Sequence, residues 1–504
     1  MATDDVRRLL IYLTILIGVS VLQYSCSFTN GFVWDAELAF TEDPTIRSLE
    51  YLPLSFQEPT FEHFPGEGER LVLLDYYRPL IKVLHIFEYQ WFGENPIGYK
   101  AVNVILNAGV VSLFFVFVLS ATQNRVGAFV AALLYAVNPT RAEAVYWAYS
   151  DSYVLVGLFT LLALVLYQQR HLVAALGALA LALMCHEMAI LLPVIVLLYM
   201  FLVEEKRVWR AYLPAVAFIA VAAAYLMLRT AVVGSVPLVG VDLVTYLNTA
   251  AVVLQRYAKI FVVPDALVTI YPSQLFPRAT IEVVVSHFVI VLFFALGVVI
   301  WSKRRSYLFW YLWFFIWIAL SLNIGEFGSY LMAEKLLYLG SAGFCVLLGL
   351  LAGEIQRKRF AAYMLIGGLA IFHSAIVFAR APYWKGTIAY LEKGLEFAPD
   401  FYLGHYDLGN AYSKAEEFDK ALDQFDRAVK INPGFSLAHN NMGNIYYLRG
   451  DIDDAVAAWE SAIAGDPTNP MPYFNIGLVL KNRGDLAGAR WYFDKYLSIE
   501  RKGS

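Results

Sequence analysis

The stretch FVWDAELAFTEDP sets two acids, Asp35 and Glu37, directly behind a long apolar run. A carboxylate held beside Trp34 at a lipid headgroup boundary has its charged form disfavoured, which moves its pKa toward the range of a general base. Further acids stand at the ends of other apolar runs: Glu143 and Asp151 in NPTRAEAVYWAYSDS, Glu187 behind His186 in CHEMA, and Glu334 in AEKLLYLG. Ionisable groups at membrane depth are expensive and are functional candidates for that reason. Arg78 in YYRPL, Arg229 in LMLRTAVVG and Lys335 in AEKLLYLG supply cations able to hold an anionic phosphate headgroup. Such a set suits transfer of a sugar from a lipid phosphate: a carboxylate takes the proton of an acceptor hydroxyl while the cations stabilise the departing phosphate. The opposing reading is that these charges only pair with one another to make burial tolerable.

The elements that must position them are membrane helices. Of 504 residues, 59% are hydrophobic and only 16% charged, far from the composition of a soluble domain. About eleven apolar runs between residues 9 and 379 are candidate spans, the short runs 126–137, 172–184 and 188–203 included, at about 20 residues for a full crossing. The run 243–263 is read as an interfacial or re-entrant helix, because a crossing would bury Gln255, Arg256 and Lys259. With that count the clusters Arg7-Arg8, Lys206-Arg207-Arg210 and Lys303-Arg304-Arg305 all fall on the cytoplasmic side. Asp35 and the C-terminal region then share the opposite side. A net charge of −4 without a basic face speaks against nucleic acid, and no Walker loop, GxGxxG, HExxH or cysteine cluster offers a seat for a soluble cofactor. A divalent cation at Asp35 and Glu37 is left open.

Near residue 380 the pattern changes to amphipathic helices with a repeat of 34 residues. Gly409, Gly443 and Gly477 recur at that spacing, as do Ala421, Ala455 and Ala489, and the aromatics Phe425, Trp459 and Phe493. Small residues let paired helices approach while the aromatics fill the seam, the pattern of tetratricopeptide repeats. Full repeats are expected at about 402–435, 436–469 and 470–503, after a half repeat at 384–399. The concave face should carry Tyr406, Asn410, Asn440, Asn444, Tyr447, Phe474 and Lys481, whose amides and aromatic rings could bind an extended protein acceptor.

The order WDAELAF, YRPL, NPTRAEAV, CHE, LMLR and AEKLLYL, followed by these repeats, resembles the transmembrane and tetratricopeptide-repeat O-mannosyltransferases and their prokaryotic relatives, within the GT-C integral-membrane glycosyltransferases. The resemblance implies an all-α chain, with a GT-C-like membrane domain over 1–379, its first extracytoplasmic loop at 28–98, and an extracytoplasmic solenoid over 380–504. It implies a polyprenyl-phosphate sugar as donor, mannose being the family's best-known sugar, and Ser or Thr of a protein as acceptor. Asp35 would be the general base with Glu37 assisting. Arg78, Arg229 and Lys335 would hold the donor phosphate, supported by Glu143, Asp151, His186, Glu187 and Glu334. The chain departs from the family at four places. Ala36 separates the two acids that are usually adjacent, Lys335 stands where an Arg is common, His186 replaces a Lys, and Asp151 lies near the usual position of an Arg. Three repeats suit a prokaryotic plasma membrane, with the endoplasmic reticulum as the alternative. The other functional readings are a membrane-anchored scaffold for envelope proteins, or transfer to a lipid or glycan acceptor.

Overall fold

The computed structural model describes residues 3–60, 76–234, 241–264, 267–268, 270–271, 274–319, 322, 332–354 and 359–503. The described residues form helices and turns, with no strand. Two compact units have their main bodies before and after the boundary between Gly386 and Thr387.

The first unit is built from α1 (Thr3–Tyr24), α2 (Asp35–Thr41), α3 (Pro79–Phe92), α4 (Pro96–Thr122), α5 (Arg125–Ala136), α6 (Ala142–Tyr146), α7 (Asp151–Gln168), α8 (Leu172–Cys185), α9 (Leu192–Leu202), α10 (Leu213–Val233), α11 (Leu243–Val262), α12 (Ile281–Lys303), α13 (Arg305–Ala319), α14 (Leu337–Glu354) and α15 (Arg359–Arg380). Seven helices among the described residues are long and apolar enough to cross a membrane, which makes the chain an integral membrane protein. The runs expected as spans at 126–137, 172–184 and 188–203 instead form shorter apolar helices. At 12 and 14 residues, α5 and α8 reach about 18 and 21 Å, short of a hydrocarbon core of about 30 Å. The cause is chemical: α5 ends just before Asn138-Pro139 and α8 ends at Cys185-His186, so each stops where a polar motif leaves the helix. The amphipathic α11 lies outside the seven; Arg256 on it is paired with Glu282 at 2.8 Å, and Val252, Tyr257 and Ile260 are buried while Leu243 and Leu247 are exposed.

Close backbone approach holds the centre of this unit. A side chain at Gly349 on α14 would lie 2.3 Å from the carbonyl oxygen of Gly127 on α5, so only glycine lets these helices touch. Beside them the buried guanidinium of Arg141 lies between the rings of Tyr135 (3.7 Å) and Tyr338 (4.5 Å). It also donates to the Tyr135 carbonyl at 2.8 Å and to the Asn107 side-chain oxygen. Aromatic faces and amide oxygens thus solvate a cation that has no carboxylate partner among the described residues.

The second unit contains α16 (Thr387–Phe397), the pair α17 (Tyr402–Lys414) and α18 (Phe418–Ile431), the pair α19 (Ser436–Arg449) and α20 (Ile452–Gly465), and the pair α21 (Pro470–Asn482) and α22 (Leu486–Gly503). The 34-residue register reads directly as packing. A side chain at Gly409, Gly443 or Gly477 would strike the ring of Phe425, Trp459 or Phe493 at 2.5, 2.5 or 2.8 Å. Ala421 and Ala455 are fully buried. This is the α-solenoid the repeat predicts.

Candidate active site

The acids and cations singled out in the first unit all sit at helix ends. Asp35 opens α2, Arg78 immediately precedes α3, Asp151 opens α7, and Arg229 lies in the last turn of α10. Glu143 is on the five-residue α6, Glu187 begins the turn before α9, and Glu334 and Lys335 begin the turn before α14. These ends meet: α2 packs on the 148–150 turn, α6 on the 334–336 turn, and α7 on the 187–191 turn.

Asp35 is fixed by aromatic contacts. The preceding Trp34 has a positive φ of 50°, a strained conformation for a bulky residue. Its ring stacks on Trp147 with centroids 6.2 Å apart and planes 10° apart, and the Trp147 indole N–H donates to the Val33 carbonyl at 3.0 Å. The ammonium of Lys335 lies 4.1 Å from the Trp147 ring centroid. One indole therefore registers the acid-bearing turn against the cation. Asp35 is partly buried, and no hydrogen bond or ion pair reaches its carboxylate among the described residues. Burial pushes its carboxyl above the ordinary range, and the Lys335 charge draws it part of the way back.

The remaining acids are paired. Glu143 accepts from the Lys335 backbone N–H at 3.0 Å and lies 3.7 Å from its ammonium. Glu187 lies 2.8 Å from Arg78, whose guanidinium stands 4.0 Å from the Tyr76 ring centroid. Burial opposes the Arg78 charge, but Glu187, Tyr76 and Tyr153 more than offset it, so Arg78 stays cationic. His186 packs its ring 4.6 Å from Tyr153. Burial, then the charges of Arg78 and Lys335, hold its pKa well below the ordinary value, so it is neutral. Its Nδ1 accepts the Met188 N–H at 3.1 Å.

Tyr76 ties the group together. Burial raises its pKa, and the charges that act on it are those of Arg78, Glu187, Asp35 and Arg229. Arg229 has no ion-pair or hydrogen-bond partner among the described residues, and its helix is anchored nearby by the Tyr225 hydroxyl, which donates to the Tyr77 carbonyl at 3.0 Å. Asp35, Arg78, Glu143, His186, Glu187, Arg229 and Lys335 thus form one electrostatic neighbourhood with an unpaired acid and an unpaired cation.

Three expected members differ from the rest in their contacts. Glu37 lies two positions after Asp35 on α2, and residues at that spacing do not share a helix face, so the two do not form a facing pair of carboxylates. Glu334 is fully buried in a two-bond contact with Arg380, at 2.7 and 2.8 Å. That is a structural ion pair, the outcome the pairing argument describes. Asp151 turns to His85 at 2.7 Å. Sequence reasoning passed over Trp147 and Tyr149, although both lie in the quoted NPTRAEAVYWAYSDS, and Tyr153, which follows it directly; Tyr149 lies within the fields of Asp35, Arg78 and Asp151. The aromatic spacing was the available signal.

In the second unit most of the expected concave residues are engaged by neighbouring side chains of the solenoid. The Asn441 amide donates to Asn410 at 2.8 Å, and the Asn475 amide donates to Asn444 at 3.0 Å and Asn440 at 3.3 Å. Trp459 donates its indole N–H to the Asn444 side chain at 3.1 Å. Tyr406 is buried against Phe425 and Phe435, Tyr447 packs on Trp459, and Phe474 packs on Phe493 and Tyr496. Lys481 is exposed.

Comparison with known proteins identifies the repeats and finds named relatives of the chain. Residues 402–435 match the tetratricopeptide repeat model, and 443–484 match a second model described as TPR repeat. A mouse protein named Protein O-mannosyl-transferase TMTC1 is 35% identical over 162 residues, which are 31% of this chain and 16% of that protein. A Caenorhabditis elegans protein O-mannosyl-transferase is 23% identical over 429 residues, covering 81% of this chain and 60% of its own length. The chain is similar to the protein O-mannosyl-transferases and carries tetratricopeptide repeats. Human Protein O-mannosyl-transferase TMTC3 is 30% identical over 155 residues, again 31% of this chain and 16% of that protein. The matches therefore span from 16% to 60% of the length of these relatives.

Proposed function

We propose that the chain is a glycosyltransferase that moves a hexose, mannose by its relatives' names, from a polyprenyl-phosphate donor to a Ser or Thr hydroxyl of a protein on the extracytoplasmic face of a prokaryotic plasma membrane. The observation that carries the reading is the Asp35 carboxylate: unpaired, pushed up in pKa by burial, and set within the field of Lys335 by the Trp34–Trp147 stack. In this reading Asp35 takes the acceptor hydroxyl proton as the new glycosidic bond forms, and the bond from sugar to phosphate breaks. Lys335, Arg78 and Arg229 stabilise the departing phosphate, with Arg229 free to meet it. Glu143 and Glu187 hold Lys335 and Arg78 in place, and neutral His186 keeps extra positive charge out of the group.

The test is transfer by the purified full-length chain in detergent, supplied with polyprenyl-phosphate mannose and a Ser/Thr-rich acceptor peptide. A mannosylated peptide and free polyprenyl phosphate in equal amounts are expected. Donor that stays intact, with this acceptor and with a panel of lipid and glycan acceptors, would reject the reading. The engagement of the solenoid asparagines with one another favours a second reading of the acceptor, in which it is a lipid or glycan and the repeats serve assembly.

A further inference from the structure

Behind Asp35, one aromatic layer away, lies a second group of ionisable side chains to which the proposed transfer assigns no role. His85 and Glu88 are three residues apart on α3, so they share a face, and Asp151 at the start of α7 faces them. All three are buried, at 5%, 2% and 3% exposure, and one ligand atom from each lies within 4.8 Å of the others. Phe40 and Tyr149 cover the group, with ring centroids 4.8 and 5.7 Å from that of His85.

The group is short of positive charge. His85 Nε2 meets Asp151 Oδ2 at 2.7 Å, but Asp151 Oδ1 and Glu88 Oε2 are buried without a hydrogen-bond partner. Among the described residues no Lys or Arg pairs with either carboxylate, and Glu88 has no polar partner at all. Two carboxylates buried together without a cation carry a large electrostatic cost in a dry site. A proton shared between the acids would satisfy both, yet no hydrogen bond joins them. One ligand atom of each residue lies within 4.8 Å of the others, and ligands about 2.0–2.1 Å from a tetrahedral metal lie about 3.3 Å apart, so modest side-chain rotation brings all three to a common ion.

We propose that His85, Glu88 and Asp151 bind one divalent transition-metal ion of the zinc(II) or manganese(II) class. One imidazole nitrogen with two carboxylate oxygens is a borderline donor set that suits these ions better than calcium, which takes six to eight oxygens, or magnesium, which keeps its waters. The neutral imidazole and two carboxylates bring two negative charges to a divalent cation, so binding leaves the buried group uncharged. The ion ties α3 to α7 and, through Phe40 and Tyr149, supports the turn that carries Asp35. It is a positioning site, distinct from the Asp35–Glu37 motif, and it stands whether or not the chain transfers sugar.

The experiment uses the full-length chain in detergent, stripped with a chelator and reloaded separately with zinc(II) and manganese(II). Elemental analysis after gel filtration should find about one ion of one of these metals per chain, and the thermal midpoint should rise with added metal. Glu88→Gln should weaken binding by at least about tenfold, whereas Asp35→Asn should bind as the parent chain does. Absence of stoichiometric metal together with a midpoint indifferent to either ion would overturn the proposal, and this arm requires no variant to fold. Retention of metal by Glu88→Gln with its loss from Asp35→Asn would move the ion to the Asp35–Glu37 motif and equally overturn it.

Discussion

The concave face of the solenoid and the rim around Asp35 both gather polar side chains on packed helices, yet they treat them in opposite ways. On the solenoid, hydrogen bonds from Asn441 to Asn410 and from Asn475 to Asn440 and Asn444 run from one repeat to the next. At the rim, Asp35 and Arg229 keep their charges without a partner while their neighbours Glu143, Glu187, Lys335 and Arg78 are paired. Polar groups that satisfy each other stabilise a fold; a charged group left unpaired at a half-buried site costs stability and is kept for what it can do to a ligand. The contrast also separates Glu334 from Asp35, since both end apolar runs but only Glu334 is closed off by a cation.

Substitutions can break this contrast from either side. The largest effect is expected at the buried pair: Glu334→Gln leaves the Arg380 guanidinium buried and uncompensated, at a cost of about 3–5 kcal/mol, visible as loss of folded protein after gel filtration. If Glu334→Gln folds normally and only transfer suffers, Glu334 belongs to the site after all. Trp459→Ala should cost about 3–5 kcal/mol in the solenoid, by opening the space that Gly443 and Asn444 now close, read as a lowered thermal midpoint. Asn475→Ala removes two donors between repeats and should cost about 1 kcal/mol. A variant at Asn475 that keeps its midpoint but loses acceptor affinity would instead place the asparagines in binding.

The pH dependence sharpens the rim. A base must be deprotonated, so transfer should fall as pH drops through the raised pKa of Asp35. Lys335→Met removes the charge that draws that pKa down and should move the acid limb of the profile to higher pH. An unmoved limb would assign the titration to another group. Stability runs the other way: a carboxyl whose folded pKa is raised stabilises the fold below its unfolded pKa and loses that contribution as pH rises through the folded value. At neutral pH Asp35 is therefore a net cost, and Asp35→Asn should leave the thermal midpoint unchanged or raised.

The solenoid was legible because its code is local and periodic: each glycine and the aromatic sixteen residues later meet in one helix pair, so 34-residue spacing implies contact. The all-α membrane unit was legible from its apolar runs, except where polar motifs cut α5 and α8 short. The rim was half legible. Acids and cations at run ends stand out by type, and most of them converge. Their pairing does not show, because Glu334 and Arg380 are 46 residues apart and Arg78 and Glu187 are 109 apart, with nothing periodic linking them. His85 and Glu88 were hidden differently: they lie outside every motif quoted from the sequence, and only the fold of α3 against α7 shows them buried.

Asp35 as the base is the claim on which the functional account turns, and the direct measurement is the rate of hexose transfer by Asp35→Asn beside the parent chain at saturating donor and acceptor. A loss of at least about 100-fold with an undiminished thermal midpoint is the predicted result. Transfer within a few-fold of the parent rate would contradict it, because the amide cannot accept the hydroxyl proton.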